Sequence, residues 1–93
     1  MKTTFKPLTL KFYSDAGHGW VAVKSKVLVE LGIADKISSY SYQRGETKYL
    51  EEDSDYSTLV AALKFRGWDY KIVDGKFQDR SPIRSYDRYE FKG

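Results

Sequence analysis

Residues 37–51 read Ile37-Ser-Ser-Tyr-Ser-Tyr-Gln-Arg-Gly-Glu-Thr-Lys-Tyr-Leu-Glu51, and this stretch decides the fold because it predicts a β-hairpin. Residues 37–43 are rich in Tyr, Ser and Ile, Arg44-Gly45 supplies a two-residue loop, and residues 46–51 form the returning strand. With that loop, Tyr40 faces Tyr49, and Tyr42 lies on the same side of the hairpin. The three tyrosines therefore form either half of a core or an exposed binding surface. The core reading is favoured because antiparallel sheets usually hide one face.

The composition predicts one small globular domain spanning residues 1–93. A chain of 93 residues is too short for two cores, and its 41% hydrophobic content is that of a folded protein. The absence of cysteine excludes disulfides, thiolate metal sites and a cysteine nucleophile. The 16 basic and 13 acidic residues permit nucleic-acid binding without requiring it. Because no apolar run is long enough for a bilayer and no signal peptide is recognisable, we expect no membrane association and a cytoplasmic location.

Two further strands and two helices are predicted around the hairpin. Apolar residues alternate along residues 8–12, and residues 20–23 form a second strand antiparallel to the first. Ser25 can cap a short helix that ends at Gly32, and an apolar stripe along residues 56–63 predicts a second helix that ends at Gly67. In both cases the glycine and the apolar residue after it predict a Schellman-type ending.

The last quarter of the chain adds more strands. Residues 68–73 alternate, Asp74-Gly75 predicts a turn into Lys76-Phe77, and residues 83–91 have strand character, with Pro82 at the start. The expected fold is α+β: a single two-layer domain with an antiparallel sheet of five to six strands and two helices packed on one face. A small, partly closed barrel is the alternative. If the hairpin tyrosines face outward, Ser39, Ser41 and Leu50 face inward.

The loop Asp15-Ala-Gly-His-Gly-Trp20 holds the only histidine and is a candidate site. His18 can act as a general base oriented by Asp15, beside Trp20. The glycines more often serve a tight turn, and no nucleophile is marked for such a base. The loop also lacks the spacing of a phosphate-binding or dinucleotide fingerprint, so the sequence predicts no catalytic residue and no cofactor.

Four acidic residues precede the second helix: Glu51, Glu52, Asp53 and Asp55. Such a cluster can gather Mg²⁺ or Ca²⁺, although the spacing is not that of a calcium-binding helix–loop–helix. Placement at the positive end of a helix explains the same residues more simply. A third reading is that an acidic patch beside aromatic residues occupies the basic groove of a nucleic-acid-binding protein.

Arginine and tyrosine alternate near the end of the chain. On a strand over residues 83–91, Arg84, Tyr86 and Arg88 project from one face, where they suit either single-stranded nucleic acid or an acidic protein. The simpler reading is a solvated strand face. The candidate interaction surface therefore comprises Tyr40, Tyr42, Arg44, Tyr49, Arg80, Arg84, Tyr86 and Arg88.

Several patches resemble small uncharacterised proteins carried by bacteriophages and other mobile elements. They are Gly17-His-Gly-Trp20, Leu31-Gly-Ile33, Ser39-Tyr-Ser-Tyr-Gln-Arg-Gly45, Tyr49-Leu-Glu-Glu-Asp53 and Ser81-Pro-Ile-Arg-Ser-Tyr86. The resemblance covers most of the chain and implies a bacterial cytoplasmic setting, but no activity or catalytic residue.

The sequence thus predicts a non-enzymatic accessory protein that binds a host macromolecule, with inhibition of a host or defence protein as one form of that role. A nucleic-acid-binding module using the arginine and tyrosine residues is the alternative, and a small enzyme built on His18 and Asp15 is the third reading. Self-association through an exposed strand edge is also compatible with the pattern.

Overall fold

Six strands and two helices account for most of the regular structure in the computed structural model, which describes residues 8–75 and 81–91. Two short 3₁₀ turns, Ala34–Lys36 and Pro82–Ser85, complete it. None of the helices in this part of the chain is long and apolar enough to cross a membrane. The regular elements are β1 (Leu8–Ser14), β2 (Gly19–Lys24), α1 (Ser25–Glu30), β3 (Tyr42–Arg44), β4 (Thr47–Glu51), α2 (Asp55–Arg66), β5 (Tyr70–Asp74) and β6 (Asp87–Arg88).

The strands form one mixed sheet in the order β5-β1-β2-β4-β3-β6. The predicted α+β class is confirmed, but the sheet is not purely antiparallel, because β5 runs parallel to β1, with Leu8 opposite Tyr70 and Phe12 opposite Asp74. The cause is the crossover through α2. The helix returns the chain to the side of the sheet at which β4 starts. β5 therefore runs in the same direction as β4 and β1.

Both helices pack on one face of the sheet, as predicted. Apolar side chains from the strands pack against apolar side chains from the helices: Leu10, Val21, Val23 and Leu50 against Leu28, Leu59 and Leu63. Leu50, Leu59 and Leu63 have no exposed surface. This is the core of the domain. Its contacts supply the stability that a six-residue helix such as α1 lacks by itself.

The two predicted helix endings are confirmed. After α1, the N–H of Gly32 donates to the carbonyl of Val29 and the N–H of Ile33 donates to that of Leu28. After α2, Gly67 and Trp68 repeat this pattern. Both glycines have φ near +70° (73° at Gly32 and 69° at Gly67), a left-handed conformation that favours glycine.

The hairpin exists, but its predicted loop is wrong by one residue. The turn is Gly45-Glu46, and Tyr42, not Tyr40, pairs with Tyr49. Residues 37–41 are not a strand, because Asp55 of α2 accepts hydrogen bonds from Ser38 and Ser41 and holds this segment as a loop. Tyr40 lies in that loop and is 68% exposed.

The predicted strand over residues 83–91 is largely replaced by other structure. Ser81 accepts a hydrogen bond from the N–H of Ile83, and Pro82 fixes the first position of a 3₁₀ turn, so the chain enters the sheet only at the two residues of β6. Arg80 and the predicted turn into Lys76-Phe77 lie outside the described residues, as does Pro7.

Candidate functional site

One face of the sheet carries no helix in the described part of the chain, and we refer to it as the open face. Side chains alternate along a strand, so the neighbours of the core residues point to this second face. The pairing register places the following strand positions there: Thr9, Lys11, Tyr13, Trp20, Ala22, Lys24, Tyr42, Arg44, Thr47, Tyr49, Glu51, Lys71, Val73 and Arg88. The hairpin tyrosines therefore face away from the helices, and the core reading of these rings is wrong. Of the residues expected to face inward in that case, Ser41 and Leu50 are fully buried, but Ser39 is exposed.

Aromatic rings contact one another across the open face. The ring centroids of Tyr13 and Tyr49 are 6.2 Å apart, and those of Tyr49 and Tyr86 are 5.3 Å apart. Trp20 and Tyr42 form a further edge-to-face pair at 6.2 Å. Burial and the neighbouring Tyr86 and Tyr13 hydroxyls raise the pKa of Tyr49, so this phenol stays neutral. Contacts of this kind hold each ring in place before any partner arrives.

Three arginines lie over these rings. The guanidinium carbon of Arg44 is 5.1 Å from the ring centroid of Tyr86, that of Arg88 is 4.9 Å from Tyr42, and that of Arg84 is 5.7 Å from Trp20. Arg44 also donates to the Tyr86 hydroxyl at 3.2 Å. Of the predicted interaction residues, the open face thus gathers Tyr42, Arg44, Tyr49, Arg84, Tyr86 and Arg88, although Arg84 and Tyr86 reach it from the 81–86 segment and not from a strand.

Charge is unevenly distributed between the faces. The strand positions on the open face include five basic residues, Lys11, Lys24, Arg44, Lys71 and Arg88, and one acidic residue, Glu51. The whole chain has 16 basic and 13 acidic residues, so most of the negative charge lies elsewhere. This face is therefore the basic side of a nearly balanced protein.

A shallow cavity of about 400 Å³ lies against β1, β2 and β4. Its lining combines open-face residues with residues of the core side, namely Thr9, Lys11, Tyr13, Ala22, Lys24, Thr47 and Tyr49 with Leu8, Leu10, Val23 and Val27. Ala22, which lies opposite Tyr49 in the register, contributes a small side chain to this lining. Lys11 and Tyr13 were not predicted as site residues, although the alternation of residues in β1 places them on the same face as the hairpin tyrosines.

Asp15 ties the β1–β2 loop to the 81–84 segment. Its carboxylate accepts both backbone N–H groups of Gly17 and His18 at 2.9 Å, the N–H of Ser81 at 3.0 Å, and two bonds from Arg84 at 2.5 and 3.0 Å. The Arg84 guanidinium, helped by these N–H groups, holds the pKa of Asp15 far below its ordinary value despite burial. Asp15 is therefore an ionised structural anchor.

His18 does not have the geometry predicted for a general base. Asp15 contacts its backbone N–H and not its imidazole, and the ring centroid lies 6.0 Å from that of Trp20. Trp20 itself is only 2% exposed. A second cavity, of about 320 Å³, brings this loop next to the hairpin. It is lined by His18, Trp20, Tyr40, Tyr42, Arg84 and, at one end, by Glu51, Asp53 and Ser54.

The acidic residues before α2 have separate roles. Asp55 is 3% exposed and binds Ser38 and Ser41, while Glu51 accepts from the N–H of Asp53 at 3.1 Å. Within residues 8–75 and 81–91, no three His, Cys, Asp or Glu side chains are grouped as metal ligands. Asp55 was predicted only as one member of the acidic cluster before α2. Its hydrogen bonds to Ser38 and Ser41, which organise the loop before the hairpin, were not predicted.

No protein-family model, curated protein or solved structure matches this chain.

Proposed function

We propose that this chain is a non-enzymatic accessory protein of bacteriophage or mobile-element type, which acts in the cytoplasm of a bacterial host by binding a macromolecule on its open face. The observation that carries the proposal is the convergence of tyrosine and arginine on the open face. Tyrosine and arginine are among the residue types that contribute most binding energy at interfaces.

The arginine side chains of the open face are also preorganised for binding. Arg44 is held by Tyr86, and Arg88 lies over Tyr42 and donates to the carbonyl of Ser39 at 3.1 Å. Long side chains that are already positioned lose less conformational entropy when a partner binds. Both arginines are nevertheless exposed, so their remaining donors face solvent.

A host or defence protein is supported as the partner by the cavity beside His18. This cavity combines the exposed ring of Tyr40 with Tyr42 and with the carboxylates of Glu51 and Asp53. Rings and carboxylates together suit a basic side chain of a partner protein. In contrast, an enzyme built on His18 gains no support, because Asp15 is engaged by Arg84 and by backbone N–H groups.

The test is affinity capture from a bacterial lysate with matched arginine variants. Arg44→Ala combined with Arg88→Ala removes both exposed cations over the rings, while Arg66→Ala removes an exposed arginine at the end of α2, on the other side of the sheet. We expect the double variant to lose the captured material and Arg66→Ala to retain it, with unchanged tryptophan fluorescence in both. Equal retention by the two variants would refute a role for the open face.

A further inference from the structure

We infer that the basic part of the open face, apart from the cavity beside His18, binds a single-stranded nucleic acid. The inference rests on the proposed function, because it assigns a partner to the same face. It is carried by three features that coincide there: basic side chains spread over the sheet, tyrosine rings between them, and a cavity lined by Lys11, Lys24, Tyr13 and Tyr49.

The distribution of charge favours a polyanion. Lys11 and Arg88 lie on β1 and β6, four strands apart in the sheet, which corresponds to about 19 Å. Lys24 and Arg44 lie on strands between them. A strand of phosphates crossing from β1 to β6 would meet cations on four of the five strands, β4 being the exception, whereas a single acidic side chain would use only one of them.

The tyrosine rings favour bases over acidic peptides. Tyr13 and Tyr49 are partly exposed, and together with Lys11 and Lys24 they line the 400 Å³ cavity. A base lying on the exposed surface of one of these rings stacks on it while the lysines pair with the adjacent phosphates. At the other end of the face, the guanidinium of Arg44 on Tyr86 offers a second flat surface for stacking.

Single strands fit this arrangement better than duplexes. The bases of a duplex are already stacked and paired, so they cannot stack on the exposed rings, and only the phosphates would remain available to the face. The structure therefore predicts binding that depends on both the cations and the rings, with little demand for a particular base.

The experiment is fluorescence anisotropy of a labelled oligothymidine of about 15 nucleotides, with a duplex of equal length as the comparison. We expect tighter binding of the single strand and a slope of log K against log salt of about −2 to −3.5, if three to five cations contact phosphates. Lys11→Gln with Lys24→Gln should reduce the slope by about 1.4. Tyr49→Ala should weaken binding about tenfold, since base stacking on a ring carries a change of that order.

Matched controls come from the helical side. Phe65 and Arg66 are exposed at the end of α2, so Phe65→Ala and Arg66→Ala should leave affinity and slope unchanged. The two lysines are exposed as well, and their substitution leaves the core intact even if Tyr49→Ala perturbs folding. Equal affinity for single strand and duplex, or indifference to the lysine variant, overturns the inference.

Failure of this inference is distinguishable from failure of the proposed function. If no oligonucleotide binds, but material captured from nuclease-treated lysate is lost with Arg44→Ala and Arg88→Ala, the open face binds a protein and only the nucleic-acid inference falls. If neither oligonucleotides nor captured material depend on these residues, both proposals fall.

Discussion

Replacing Asp55 with alanine should destabilise the domain and loosen the loop that carries Tyr40. The carboxylate is 3% exposed and accepts hydrogen bonds from the Ser38 N–H at 3.1 Å, the Ser38 hydroxyl at 2.7 Å and the Ser41 hydroxyl at 2.5 Å. These bonds tie the first residue of α2 to the segment that leads into β3. No other described contact replaces the carboxylate if it is removed.

The magnitude follows from the exposure of the two donor residues. A hydrogen bond to a charged group contributes about 1.5–3 kcal/mol. Ser38 is half-buried, so water can replace the carboxylate there, whereas Ser41 is fully buried and its hydroxyl loses this acceptor without compensation. If the Ser41 bond is lost in full and the Ser38 bonds in part, the free energy of unfolding falls by about 2–4 kcal/mol. This is a large share of the roughly 5–15 kcal/mol that stabilises a small domain.

Urea unfolding followed by the fluorescence of Trp20 and Trp68 measures this loss. With a slope of about 1–2 kcal/mol per molar urea, the midpoint should fall by about 1–4 M. Asp53→Ala is the matched control, because Asp53 is exposed in the same acidic stretch and should change stability by less than about 0.5 kcal/mol. If Asp55→Ala stays within about 0.5 kcal/mol of Asp53→Ala, the assigned role of Asp55 is wrong.

Three further predictions concern the core, a helix ending and acid stability. Leu50→Ala, at a site with no exposed surface, should lower the unfolding free energy by about 3–5 kcal/mol in urea titrations, and a loss below about 1 kcal/mol would contradict its central place in the core. Gly67→Ala should destabilise by about 1–2 kcal/mol from backbone conformation alone, since φ is 69° and an added Cβ meets no atom within 4 Å; Gly67→Asn should lose less. Because Arg84 lowers the pKa of folded Asp15, that group stabilises the fold above its unfolded pKa and the stability is lost as pH falls below about 4; Asp15→Asn should flatten this part of the pH profile in thermal melts, and parallel profiles for both proteins would argue against it.

Local patterns were sufficient to predict the two-layer α+β fold and both helix endings. The leucines of α2 repeat at helical spacing, and Gly67 followed by Trp68 specifies the end of that helix within a few residues of sequence. Such signals need no knowledge of distant parts of the chain, which explains why the observed bonds match the prediction.

Register and strand direction were not predictable, because distant residues set them. Tyrosine and serine in residues 37–41 favour a strand. However, Asp55, 14 positions after Ser41, accepts a hydrogen bond from this segment, and the strand begins only at Tyr42. Similarly, β5 looks like any half-buried strand, and only the crossover through α2 makes it parallel to β1.

The candidate site, like the fold, was only partly predictable from the sequence. Sequence composition identified Tyr42, Arg44 and Arg88 as interaction residues, and they do lie on one face. The pairing of Arg44 with Tyr86, 42 positions later, depends on the 81–86 segment crossing that face, and this in turn depends on Asp15 and Arg84. Residue types were therefore predictable, while their arrangement required the tertiary structure.

The order of strands has a consequence during synthesis of the chain. Residues 8–51 supply the four inner strands, β1, β2, β4 and β3, but both outer strands, β5 and β6, follow α2 in sequence. Until they emerge from the ribosome, the inner sheet has unpaired backbone groups along two edges, and synthesis of the intervening chain takes about 2–7 s. The nascent protein is thus open to pairing with another copy or to aggregation during that interval, which ends when β5 pairs with β1 at one edge and β6 pairs with β3 at the other.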